Sequence, residues 1–142
     1  MIMIIIPIVA AVVAFGVSST SLYSTQGPKP LVEHIHPHLN VTVDGTSTPV
    51  PSQIGIDSSL WKVHSLDQYG TAGFAPLHTH DASGTIHVES TANRNYTLGE
   101  FLNIWGLDVK GKTVRATVDG TVISDHISHI LEDGQNLNLY IT

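Results

Sequence analysis

The chain has 142 residues, six Lys and Arg against twelve Asp and Glu for a net charge of −6, nine histidines and no cysteine. So few basic residues argue against nucleic acid or an anionic lipid surface as the main partner, because both demand clustered Lys and Arg. The lack of thiols excludes disulfides, thiolate catalysis and thiolate metal sites, and the acidic balance suits attraction of cations.

Taken in chain order, Met1 to Val17 carry no charged side chain and only Pro7 and Gly16 as residues unfavourable to a helix, and Ser18 to Tyr23 extend the uncharged run. At about 1.5 Å per residue this stretch reaches the ~30 Å of a bilayer core. No basic residue precedes it, and the only cleavage-like site is Val17-Ser18-Ser19, so residues 1–23 are expected to be an uncleaved N-terminal transmembrane helix rather than a cleaved signal segment. The expected localisation is a single-pass membrane protein with its domain on the extracytoplasmic side. Residues 24–30, with Pro28 and Pro30, read as a short stalk, and residues 31–142 are enough for one domain with a single core.

The domain opens with His34, His36 and His38. In a strand, residues two apart share a face. The stretch 31–43 read as one strand puts these three histidines with Asn40 and Thr42 on one side, and Leu31, Ile35, Pro37, Leu39, Val41 and Val43 on the other. Pro37 lacks a ladder donor and calls for an edge or a bulge. Asp44-Gly45 predicts a two-residue hairpin turn, and Asp119-Gly120 repeats the signal later in the chain. Pro49, Pro51 and Gly55 mark loops, and Trp61 to Leu66 are expected to add a short strand. Asp81 to Gly84 read as a tight turn whose arms carry His78 and His80 on one side and His87 on the other, so the two groups should meet face to face. On the second arm Ile86 and Val88 point inward, and His87 and Glu89 point the other way.

Thr97-Leu98-Gly99-Glu100 fits a capping box. Leu98, Phe101, Leu102 and Trp105 follow at helical spacing, and Gly106 ends the helix. After the second Asp-Gly hairpin, Leu137, Leu139 and Ile141 alternate as the inward face of a last strand. Strand pairs, a helix, then more strands predict an α+β domain in which one helix covers a small mixed sheet in the manner of a β-grasp.

The chemistry expected of this arrangement is metal binding. Imidazole is the commonest protein metal ligand, and His34, His36, His38, His78, His80 and His87 are the candidate ligands, with Asp81 and Glu89 placed to accept the spare ring N–H of a ligating histidine. His64, His126 and His129 read as ordinary polar residues. Nitrogen and oxygen donors without sulfur suit Cu(II) or Zn(II). A blue-copper centre is excluded, since Met1 and Met3 are the only methionines and lie in the apolar segment.

His34-Ile35-His36-Pro37-His38-Leu39 with Val43-Asp44-Gly45, then Pro76-Leu77-His78-Thr79-His80-Asp81-Ala82-Ser83-Gly84-Thr85-Ile86-His87-Val88-Glu89-Ser90, then Thr97-Leu98-Gly99-Glu100-Phe101 through Trp105-Gly106, together resemble a widespread family of small exported or membrane-anchored bacterial and archaeal proteins. The resemblance spans nearly all of residues 31–142 and implies export and a shared fold rather than an activity. The isoleucine-rich N-terminus and low basic content are most similar to members in ammonia-oxidising archaea, which implies copper. The expected role is a metal-binding accessory or metal-handling subunit of a larger membrane complex such as a copper enzyme, partnered by the metal ion, by other membrane-protein subunits and by the membrane through residues 1–23. The alternatives are a small zinc hydrolase or hydratase with a three-histidine site, and a purely structural subunit.

Overall fold

The computed structural model describes residues 27–142. The expected transmembrane helix, residues 1–23, and the first part of the stalk lie outside the described residues. Among the described residues no helix is long and apolar enough to cross a membrane.

Among the described residues, eight strands and one α-helix run in the order β1 (Glu33–Ile35), β2 (His38–Val43), β3 (Thr46–Thr48), β4 (Leu77–His78), β5 (His87–Ser90), α1 (Leu98–Trp105), β6 (Val114–Val118), β7 (Thr121–Ile123) and β8 (Asn136–Ile141), with single 3₁₀ turns at Ser58–Leu60 and Asp67–Tyr69. They form an α+β fold with a five-stranded mixed sheet, order β3-β2-β8-β6-β7, and a three-stranded sheet, order β1-β5-β4. Both Asp-Gly turns close hairpins as expected: Asp44 and Gly45 have φ of 48° and 79°, Asp119 and Gly120 of 49° and 83°. Two positive φ angles in succession match the right-handed twist of the flanking strands. Between the hairpins runs the parallel pair β2 and β8, in register from His38 opposite Asn136 to Val43 opposite Ile141. Counted within this sheet alone, the order is 2-1-5-3-4 with the helix in the crossover between hairpins, the connectivity of a β-grasp.

The helix starts where its capping chemistry dictates. The Thr97 hydroxyl accepts from the Glu100 N–H, the Glu100 carboxylate accepts from the Thr97 N–H, and Gly106 ends the helix at a left-handed φ of 80°. Two further N–H groups of the first turn, on Leu98 and Gly99, donate to the carbonyls of His129 and Ile127, so the segment before β8 satisfies donors that the helix cannot. Leu98, Phe101, Leu102, Ile104 and Trp105 join one apolar core with Leu39 and Val41 of β2, Leu137, Leu139 and Ile141 of β8, and Leu77, Ile86 and Val88 of the small sheet. Both sheets therefore share a single core, and the small sheet is anchored by its apolar alternates.

Two expectations are corrected. Residues 31–43 are not one strand: the chain leaves the small sheet after Ile35 and enters the large one at His38. Pro37 offers no N–H, and its carbonyl instead accepts from Ile86 at 2.9 Å, while the His36 N–H turns to the Asp133 carboxylate at 2.8 Å and the His38 N–H to the Gln135 carbonyl at 2.8 Å. The proline thus breaks the ladder and re-aims the strand, and Leu31, expected on the inner face, is exposed. Trp61 to Leu66 form no strand. The Lys62 N–H donates to the Ile104 carbonyl near the helix C-terminus, which ties this stretch to the helix end instead of a sheet edge.

Candidate metal centre

The small sheet sets histidines from three chain segments side by side. Its ladder pairs His34 with Glu89 and His78 with His87. The alternation predicted for the second arm holds, with Ile86 and Val88 buried in the core and His87 and Glu89 turned to the other side. Ring centroids then run in a continuous row: 4.6 Å from His34 to His36, 4.8 Å to His87, 4.4 Å to His80 and 4.8 Å to His78. Two sets of ligand atoms come together. One atom each from His78, His80, His87 and Glu89 lie within 4.8 Å of one another, as do one each from His34, His36 and His87.

His78 is the innermost member of the row, and its side chain is completely buried. Its Nδ1 lies 2.8 Å from the Ala75 carbonyl oxygen. A carbonyl can only accept, so Nδ1 carries the proton, and in the neutral ring Nε2 keeps its lone pair. That nitrogen points at His80 Nε2, 3.3 Å away, and lies 4.0 Å from Glu89 Oε2. Burial, the largest effect, pushes the His78 imidazole down to about 4, so the ring is neutral and able to ligate near neutral pH. The His87 ring is lowered too, first by burial and then by the neighbouring His80 and His36.

The donors fit a divalent transition metal. Tetrahedral Zn–N bonds of about 2.05 Å would separate two nitrogens by about 3.3 Å, the spacing found between the facing nitrogens of His78 and His80. His87 Nδ1 is a buried atom with no hydrogen-bond partner. Such an orphan is costly in a purely hydrogen-bonded cluster and would be satisfied by coordination. The site has a rigid support. The Thr79 side chain, between the two histidines in sequence, is buried, donates to the Pro51 carbonyl at 2.7 Å and accepts from the Ile54 N–H at 3.0 Å. The Phe74 ring packs against His78 and His80, with centroids 5.3 and 5.9 Å away.

Five of the six histidines singled out in the sequence are brought together, and His38 is not: the Pro37 break carries it into the large sheet, where its ring lies against Gly84. Asp81 does not receive a ring N–H. The Ser83 side chain, and then the Ser83 N–H that its exposed carboxylate accepts at 2.9 Å, hold it below the usual carboxylate range. Glu89 stands within reach of ligation itself, with Oε1 3.2 Å from His34 Nε2 and 3.6 Å from His87 Nδ1. His64 pairs with Asp67 at 2.8 Å and His129 meets Gln135 at 3.2 Å, both away from the row.

Sequence reasoning missed two groups that steer the cluster. The Ala75 carbonyl, which sets the His78 tautomer, carries no side-chain signal. Asp133 holds the His36 backbone at 2.8 Å with its carboxylate 3.9 Å from the His36 ring, and is 97 residues away in sequence. No protein-family profile matches this chain, and neither a curated protein nor a solved structure does.

Proposed function

We propose that this domain binds a divalent transition-metal ion, Cu(II) or Zn(II), through His78, His80, His87 and Glu89. The observation that carries the reading is the proton-free Nε2 of the buried His78, held by Ala75 and aimed at His80. Three imidazoles and a carboxylate without sulfur suit both ions. Between them, the intrinsic order of affinities favours copper, in line with the resemblance to exported proteins of ammonia oxidisers.

Binding is favoured over hydrolysis. Four protein donors complete a tetrahedral shell, whereas a catalytic zinc keeps one position for water. Two cavities among the described residues lie elsewhere, one against Leu39, Val41, Ser47 and Val50 and another against Pro28, Gln68 and Thr71, and neither sets the histidines in the apolar recess that a substrate requires. The protein is accordingly read as an extracytoplasmic metal-binding domain tethered by residues 1–23, serving as an accessory or metal-handling subunit of a larger membrane complex such as a copper enzyme.

The test is to extract the full chain in detergent, load it separately with Cu(II) and Zn(II), pass it through gel filtration and measure retained metal by elemental analysis. Stoichiometric retention that is lost in a His80→Ala variant supports the reading. A protein that retains neither metal overturns it. Co-purifying membrane subunits in the same extract would support the accessory role, and a chain that extracts without detergent would count against the anchor.

A further inference from the structure

The row of imidazoles is longer than one ion requires. Beyond the four donors around His78 stand His34 and His36, and one ligand atom from each lies within 4.8 Å of one from His87. His87 therefore belongs to both sets, and its ring can ligate one ion through each nitrogen once its N–H proton is released to solvent, leaving an imidazolate. Glu89 belongs to the inner set and also reaches one member of the outer one. Its Oε2 faces the inner set at His78, 4.0 Å away, and its Oε1 faces the outer set at His34, 3.2 Å away. A carboxylate whose two oxygens look toward different donors has the disposition of a bridging ligand.

We infer that the site is dinuclear: an inner divalent ion held by His78 and His80, an outer one held by His34 and His36, and His87 with Glu89 joining the two. The inference rests on the metal-binding reading above and deepens it. A hydrogen-bonded role for the outer histidines is the competing account. Under it, His34 has the Glu89 carboxylate as its partner, but a contact between His34 and Glu89 does not explain why His36 is packed edge-on against His87 at 4.8 Å, at right angles to it. The outer set is also the accessible one, with His34 and His36 side chains 54% and 40% exposed against 0% for His78.

The experiment is a metal titration of the full chain in detergent, using CuSO₄ with bound metal read by equilibrium dialysis, and with the electron paramagnetic resonance signal integrated at saturation. The wild type should bind two equivalents, and its spin count should fall below its copper content because bridged Cu(II) ions couple. The His34→Ala/His36→Ala double variant changes exposed or half-buried side chains only, so the fold is retained, and it should bind one equivalent with a full spin count. Saturation of the wild type at one equivalent, or a second equivalent that persists in the double variant, overturns the dinuclear site while leaving the mononuclear reading standing. No bound copper at all overturns both. A circular-dichroism spectrum shared by wild type and variant establishes that stoichiometry, not folding, has changed.

Discussion

His78 and His87 stand directly opposite each other across β4 and β5, their rings stacked 5.6 Å apart and only 11° from parallel. Strands bring facing side chains to this separation as a matter of course. Here the two residues are imidazoles, one of them completely buried. Protonating both would place like charges close together beside the core, which ties the stability of the sheet to the protonation of its histidines.

The first consequence is a pH dependence of the metal-free protein. The buried His78 ring titrates at about 4 against 6.5 for the free side chain. Above the unfolded value neither state binds the proton and the group is without effect. As pH falls through that value the unfolded chain takes up a proton that the native chain refuses, so stability declines until the native ring also protonates. The decline should span the window from 6.5 down to about 4, and amount to roughly 3 kcal/mol. His87 is shifted in the same direction and adds to it. Urea denaturation across that window measures the slope. A His78→Asn variant should flatten it, and an equally steep slope in the variant would assign the effect to other groups.

Metal should suppress thermal unfolding. A ligand that binds only the native state stabilises it by about 2.7 kcal/mol at a hundredfold excess over its Kd. Calorimetry with and without Cu(II) or Zn(II) should show a raised Tm that returns to the metal-free value on chelation. A Tm that does not respond to either ion would mean that the folded site does not hold them.

Ligand identity separates His80 from His38. Both lie in His-rich motifs, yet only His80 reaches His78, at 3.3 Å. His80→Ala should weaken metal binding by well over the roughly 10–100-fold that loss of a ligand's supporting partner causes, with little loss of stability because the residue is exposed. His38→Ala should leave affinity within a factor of about two, far less than such a loss. Isothermal titration of the two variants decides the matter, and equal losses would mean that His38 reaches the ion after all.

Gly84 controls how the two sheets meet. Its φ is 92° and a Cβ there would run into the Leu39 carbonyl, whose own N–H donates to the Gly84 carbonyl at 2.8 Å. Gly84→Ala should destabilise the protein by about 1–3 kcal/mol and loosen the metal site, because the turn that carries His80 toward His87 must shift. Thr97→Ala, which removes only the helix cap, should cost about 1 kcal/mol and leave metal affinity unchanged. Chemical denaturation paired with metal titration distinguishes the two, and a Gly84 variant of native stability would show that the turn tolerates a side chain.

Local chemistry made much of this protein legible from sequence. The capping box and Gly106 placed the helix, the Asp-Gly pairs placed both hairpins, and strict alternation assigned Ile86 and Val88 to the core and His87 and Glu89 to the other face. Each of these signals acts within a few residues: a hydroxyl bonding an N–H one turn away, a glycine that admits a positive φ, a pleat that repeats every second residue. The same alternation overreached at Pro37. A missing N–H says that a ladder must be interrupted there and does not say which strand takes up the chain afterwards. Pairing with β8, nearly a hundred residues distant, carried His38 into the other sheet. Burial of His78, the choice of Ala75 as its hydrogen-bond partner and the arrival of Glu89 beside the imidazoles likewise depend on which surfaces pack together. Sequence by itself therefore determined which residues share a face within an uninterrupted strand. Tertiary structure alone decided which faces meet and which imidazoles converge, because long-range pairing and burial are properties of the whole core.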